Sequence, residues 1–295
     1  MGYIYLLIAL LFNTAKGYFG KKTSEHTKNF GDAIAANGIR MALCVVVGFL
    51  IVLASGELPA LIPSGNMLLV SVISGLSMAI FVVTWLVAVR KNAYILLEVF
   101  LMLSVLVPLL GSNALFGEEI RLTQWVGMLF LFVSTVLMCS YSSAIKTKMT
   151  LGDIALLLIC GIAHGVSDFS QKLFAKQVPD GSAAVFNFYT YLFAGVILLI
   201  ALGVTRKSGK EAQKANMKEI LLPVTLMAVC MFVTSFLRTL AANRLDAIVL
   251  YPFNHGGGFI MSSLMAAVVF KERLTVKAII GIVAAFVGLL IINFL

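Results

Sequence analysis

Two histidines set inside apolar runs carry the most chemistry in this chain. His164 is followed by Asp168 in "HGVSD", and side chains at i and i+4 share a helix face. An imidazole beside a carboxylate is a proton site, because small shifts move its affinity across the physiological range. The competing arrangement pairs Asp168 with Lys172, also at i,i+4 with the acid first, which is a simple ion pair. His255 lies in "FNHGGGFIMSS", where Tyr251, Asn254, His255 and Gly258 fall on one helix face. His255 sits roughly 12 Å into its apolar run, and polar groups at such a depth face protein or a water-filled cavity rather than lipid. Pro252 and Gly256–Gly258 predict a loosened, locally broken helix. The alternative is close helix packing through the glycines.

Glu98, one turn past Tyr94, is a lone carboxylate in an apolar run. It could accept a cation, carry a proton or pair with Arg40. Lys16 and Arg238 either reach a cavity or snorkel to the span ends. The candidate cargo-binding set is Asn13, Lys16, His164, Asp168, Arg238, Tyr251, Asn254 and His255. The candidate proton-coupling set is Glu98, His164, Asp168 and His255. Glu118 and Glu272 stand at short turns, where helix capping is the expected role. No phosphate-binding G-x-x-x-x-G-K-[ST] occurs, and no clustered carboxylates suggest magnesium. Neither a metal nor a cofactor is expected.

The elements that must position these side chains are membrane spans. The chain has 295 residues, 61% hydrophobic and 12% charged, against about 25% charged in an ordinary soluble domain. Its mean hydropathy is +1.03. A crossing helix needs about 20 apolar residues. On that measure ten spans are expected, near 3–20, 31–54, 66–89, 93–116, 122–141, 152–173, 183–205, 219–242, 247–270 and 275–294. Met1–Phe19 lacks a basic leader region and reads as the first span rather than a cleaved signal. The four cysteines all fall in apolar runs without C-x-x-C spacing, so they read as small hydrophobes.

The formal charge of +9 does not point to nucleic acid, because the basic residues gather in short gaps between spans. Fourteen Lys and Arg fall in the loops after odd-numbered spans. Arg121, Lys172, Lys176 and Arg244 fall on the opposite side. The positive-inside rule then places both termini outside.

An internal repeat organises the spans. Shifted by 150, Met1–Leu53 lies on Leu151–Gly203 without a gap, matching Gly31, Ala33 and Asn37 to Gly181, Ala183 and Asn187. After a four-residue insertion the shift is 154, and "FGEEIRLTQWVG" lies on "FKERLTVKAIIG". The units are 1–141 and 151–295, joined by 142–150. Five spans per unit invert the second copy, a plan found in secondary transporters with a site at the midplane. The expected fold is an all-α membrane protein of ten transmembrane helices in two inverted five-helix repeats.

Two five-span halves, each ending in an "F-x-E…G" helix-loop-helix, resemble the EamA-type members of the drug/metabolite transporter superfamily. Arg40 also fits that family's habit of an Arg in the second span. The sequence departs where Trp-Gly is common, carrying Thr14-Ala15 and His164-Gly165 instead. The resemblance implies a secondary active transporter working by alternating access in the plasma membrane, the inner membrane of a bacterium. The mixed charge of the candidate site favours a small polar or zwitterionic cargo of the amino acid or amine class. A sugar or phosphorylated metabolite is the alternative cargo. The alternative class is an intramembrane enzyme acting on a lipid-linked substrate. Expected partners are a small-molecule cargo and membrane lipid, without nucleic acid, and with a homodimer left open.

Overall fold

The computed structural model describes residues 1–27, 30–90, 97, 100–102, 104–139, 150–207, 217–268 and 276–294. Ten α-helices lie among them: α1 (Gly2–Glu25), α2 (Phe30–Ala54), α3 (Gly65–Arg90), α4 (Leu106–Phe116), α5 (Leu122–Cys139), α6 (Leu151–Gln177), α7 (Ala183–Lys207), α8 (Met217–Ala242), α9 (Ala247–Val268) and α10 (Val276–Phe294). Among the described residues α2, α3, α6, α7 and α8 are long and apolar enough to cross a membrane, while α4, α5 and α10 contribute shorter apolar stretches.

The helix ends have local causes. Thr150 and Asp153 form a reciprocal capping box that starts α6, satisfying two backbone donors that a helix start leaves free. Gly117 ends α4 in the left-handed region at φ 65°, which favours glycine. Glu118 Oε2 accepts from the Ala247 N–H at 2.8 Å, so a residue 129 positions away caps α9.

The distribution of polarity is that of a protein in lipid. Leu122, Leu129 and Val133 of α5, with Ile279, Val283 and Phe286 of α10, are exposed. Ser71, Ser74 and Ser77 of α3, with Thr234, Ser235 and Thr239 of α8, are buried. An apolar exterior around a polar interior is expensive in water and stable in hydrocarbon. This is a multi-pass membrane protein.

Helix packing follows a regular set of pairs. α1 packs on α8 and α3 on α6; α2 packs on α7 and α5 on α10; α4 packs on α6 and α9 on α1. Small residues let backbones approach, as in other membrane helix pairs. A Cβ at Gly127 of α5 would stand 2.8 Å from the Gly288 carbonyl of α10, and one at Gly288 would stand 2.7 Å from the Gly127 carbonyl. Ser134 of α5 donates to the Gly281 carbonyl of α10 at 2.5 Å. Asn37 donates to Ala33 O in its own helix at 2.9 Å and to Val82 O of α3 at 3.0 Å. Asn187 does the same with Ala183 O at 2.8 Å and Thr239 Oγ1 of α8 at 3.0 Å.

Candidate functional site

α6 presents His164, Asp168, Lys172 and Lys176 at successive four-residue steps, so all four project from one face. The face is buried for its first three members, and each finds its partner on another helix or turn.

Asp168 is the hub. Its Oδ1 is bonded by the Arg238 guanidinium of α8. Its Oδ2 lies 2.8 Å from His255 Nε2 of α9 and 3.6 Å from His164 Nδ1, one turn earlier in α6. Its backbone carbonyl accepts from the Tyr251 hydroxyl of α9 at 2.6 Å. With a proton on Nε2, His255 donates to the carboxylate. One carboxylate thus ties α6, α8 and α9 together about two-thirds of the way along α6. Burying two charges is tolerable only when they are paired and hydrogen-bonded, and Asp168 with Arg238 meets both conditions.

His164 adds the next layer. Its Nδ1 lies 3.3 Å from Ser104 Oγ, just before α4. Its ring meets Phe81 of α3 edge-on at 4.4 Å and the His255 ring edge-on at 4.9 Å. Ser104 and Phe81 were not anticipated. Ser104 is a single hydroxyl in the run "LMLSVLV", and nothing local marks it as a histidine partner.

Further along the α6 face, Lys172 does not pair with Asp168. Its Nζ lies 2.8 Å from Glu118 Oε1 and donates to the Leu245 carbonyl at 2.7 Å. Lys176 adds a second ammonium 3.4 Å from the same carboxylate oxygen. The simple Asp168–Lys172 pair is displaced because α8 and α9 bring better partners to Asp168. Glu118 both caps α9 and clamps α6, so its expected capping role is half of what it does. Burial pushes the Glu118 carboxyl up, but the Lys172 bond and the Ala247 N–H outweigh it and leave the group below the usual carboxylate range.

The remaining candidates lie around this core. Asn254 is buried, and its Oδ1 has no hydrogen-bond partner among the described residues. Lys16 of α1 is half-buried and within electrostatic reach of His164. Asn13 of α1 is half-buried, its Nδ2 3.4 Å from where a Gly258 Cβ would stand. Glu98 and Glu272 lie outside the described residues.

The glycines of "NHGGG" do not break α9, which is helical without interruption from Ala247 to Val268 through Pro252. They are contact positions. A Cβ at Gly256 would meet Leu131 of α5 and Leu289 of α10 at 3.0–3.1 Å, and one at Gly257 would meet Leu10 of α1 at 2.8 Å.

Two imidazoles and a carboxylate are also a donor set for a transition metal, and the ligand atoms of His164, Asp168 and His255 lie within 4.8 Å of one another. Arg238 already holds that carboxylate and opposes a second cation, so the arrangement fits a proton or an anionic group better than a metal. The apolar cavity of about 270 Å³ between α4, α5 and α9 is a separate feature. It is lined by Met102, Val105, Trp125, Leu129, Phe132 and their neighbours. None of the hub side chains borders it, and it suits an acyl chain rather than a polar cargo.

A solved structure entitled "Crystal structure of protein" is 15% identical, with a TM-score of 0.77 over 99% of this chain and 96% of its own. At that identity the likeness speaks for the fold. No curated protein matches by sequence. Residues 151–294 match the model of the EamA-like transporter family. The second half of the chain is similar to that family. An EamA-like chain is a membrane transporter of the drug/metabolite superfamily, and the EamA-like segment contains the whole Asp168 hub.

Proposed function

We propose that this protein is a secondary active transporter of a small polar or zwitterionic metabolite, of the amino acid or amine class, working by alternating access. The observation that carries this reading is the hub: a buried carboxylate holding three helices together by bonds that a cargo group could replace. Cargo reaching Arg238 or His255 competes with Asp168 for them. The bonds that fix α9 and α8 against α6 are then exchanged for bonds to cargo. That exchange supplies the differential interaction between two states that alternating access needs.

His164, His255 and Asp168 are the proton carriers in this reading, with Glu98 a further candidate. A proton on either imidazole adds a charge next to Asp168 and strengthens its hold, so cargo and proton affect the same bonds.

The two halves, 1–141 and 151–295 around the linker 142–150, are inverted copies in this reading. The packing pairs support it, because exchanging each helix with the one five later maps α1–α8 onto α6–α3 and α4–α6 onto α9–α1. The same exchange returns α2–α7 and α5–α10 to themselves. The shift of 154 also turns the Gly127–Gly288 contact into the Gly281–Ser134 contact. The membrane is the plasma membrane, the inner membrane of a bacterium, with both termini outside on the basic-residue bias.

The test is uptake of labelled amino acids, amines and sugars into proteoliposomes, with and without a pH gradient. Saturable uptake that rises with the gradient is expected. Product formation from a lipid-linked substrate in detergent, where no barrier exists, would contradict it in favour of an enzyme.

A further inference from the structure

Arg40 of α2 is a buried cation of a different kind from Arg238 and Lys172. It lies roughly 15 Å into α2 and is 3% exposed. Arg238 has Asp168 and Lys172 has Glu118, but no carboxylate pairs with Arg40 among the described residues. One terminal nitrogen lies 3.2 Å from Met227 Sδ of α8, a weak acceptor. Its Nε, like that of Arg238, is buried without a hydrogen-bond partner among the described residues. At the matched position of the second half stands Thr190, so the repeat does not require an arginine here.

The surroundings add positive charge. Cys44, one turn along α2, is within electrostatic reach of both Arg40 and Lys16. Lys16 belongs to the half-buried stretch of α1 from Phe12 to Phe19. A Cβ at Gly17, next to Lys16 in α1, would meet no atom within 4 Å. The hub does not offset this charge, because Asp168 is already matched by Arg238. A guanidinium with no carboxylate partner among the described residues is costly to keep inside a membrane protein, and a thioether is a displaceable, adaptable neighbour.

We propose that Arg40 anchors an oxyanion of the cargo, a carboxylate or a phosphate, with Met227 as the group it displaces and Lys16 reinforcing the charge. The guanidinium fork matches either oxyanion through two parallel N–H bonds. This rests on the transporter reading and narrows it: within the amino acid or amine class, a cargo with an amine alone is not held.

The experiment is a thermal-shift series on purified protein at constant ionic strength. The probes are L-phenylalanine against phenethylamine, succinate, glycerol 3-phosphate and inorganic phosphate, applied to wild type, Arg40→Met and Arg40→Lys. At least one oxyanion probe raises the wild-type Tm and its matched amine does not. The carboxylate and phosphate arms tell which oxyanion is preferred. Arg40→Met abolishes the shift with an unliganded Tm equal to or above wild type, because a desolvated charge has been removed. Arg40→Lys keeps the charge without the fork and needs about tenfold more probe for the same shift. The proposal is overturned if no oxyanion shifts the wild type, if the amine shifts it equally, or if Arg40→Met keeps the shift. If Arg40→Met sharply lowers the unliganded Tm or does not fold, Arg40→Lys decides, and an unchanged shift there overturns the proposal. Proteoliposome flux separates the two readings. An Arg40-dependent shift without wild-type flux contradicts the transporter and leaves the site. Amine flux untouched by Arg40→Met contradicts the site and leaves the transporter.

Discussion

α1 and α6 begin their respective halves, and a shift of 150 aligns them residue for residue, yet their inner faces differ. On α6, His164, Asp168 and Lys172 are buried and bonded to α8, to α9 and to the turn at Glu118. On α1 the matched residues are Thr14, Tyr18 and Lys22. Thr14 donates to its own helix at Leu10 O, 2.8 Å away. Lys22 is exposed, with its ammonium 4.9 Å over the Tyr18 ring. At these matched positions α6 is clamped by ion pairs to its surroundings, while on α1 Thr14 and Lys22 turn to their own helix. Where the halves agree, as at Asn37 and Asn187, the residues hold neighbouring helices together. Where they disagree, one copy carries the charged side chain: the second half at His164 and Asp168, the first at Arg40, opposite Thr190.

The largest expected effect is at the hub. Asp168→Ala leaves Arg238 charged and buried without a partner, which costs about 3–5 kcal/mol. Tyr18→Phe at the matched position changes stability by less than about 0.5 kcal/mol. Chemical denaturation in detergent measures both. Equal losses would break the comparison. A double variant, Asp168→Ala with Arg238→Leu, should regain much of the loss, because it removes the orphaned charge as well.

The clamp is next. Glu118→Gln strands the Lys172 ammonium and should cost about 2–3 kcal/mol. Lys22→Met on the matched α1 face should be close to neutral. The same clamp gives a pH dependence. Glu118 is held below its ordinary value by Lys172 and Ala247, against its burial. Its contribution is therefore complete above the unfolded carboxylate pKa of about 4.3 and is lost as pH falls through the lower folded value. Melting curves below about pH 4 should fall more steeply for wild type than for Glu118→Gln. Parallel curves would contradict the clamp.

Glycines give a smaller effect. Gly257→Leu drives a side chain into Leu10, and overpacking of this sort costs about 1–3 kcal/mol. Gly17→Leu on α1 enters open space and should be tolerated. A melting-temperature comparison decides, and the reverse order would mean that α1 and α9 separate in solution.

The smallest effect should also be the most symmetric. Asn37→Ala and Asn187→Ala each remove one bond to a neighbouring helix and should each cost about 1 kcal/mol. Losses differing by more than about a factor of three would argue against equivalent roles.

Much of the fold was legible in the sequence because lipid imposes a simple rule. A run of about 20 apolar residues must be helical to satisfy its own backbone, and nine of the expected spans fall within about five residues of described helices. The fourth, expected over 93–116, is described as a helix only from Leu106, after a turn at 104–105, and much of its first part lies outside the described residues. α6 runs to Gln177 rather than stopping near Leu173, because Lys172 and Lys176 are neutralised by Glu118 and need not end the helix. Site membership was partly legible: periodicity placed His164 with Asp168, and Tyr251 with His255. Partner choice was not. An i,i+4 spacing shows which side chains share a face, but says nothing of what the next helix brings, so Asp168 was offered to Lys172 when Arg238 and His255 hold it. The glycines of α9 misled for the same reason. Their local cost in a helix is offset by close contacts with α1, α5 and α10 that no local pattern reveals.

The central claim is that the second-half hub, and not its first-half counterpart, handles cargo. The direct measurement is counterflow, in proteoliposomes, of whichever metabolite the uptake screen identifies, for His164→Ala and for Thr14→Ala, with folding checked by Tm. The account predicts that His164→Ala lowers exchange by roughly three- to tenfold, the scale of one lost hydrogen bond, while Thr14→Ala exchanges at the wild-type rate. Wild-type exchange by a well-folded His164→Ala protein would contradict it.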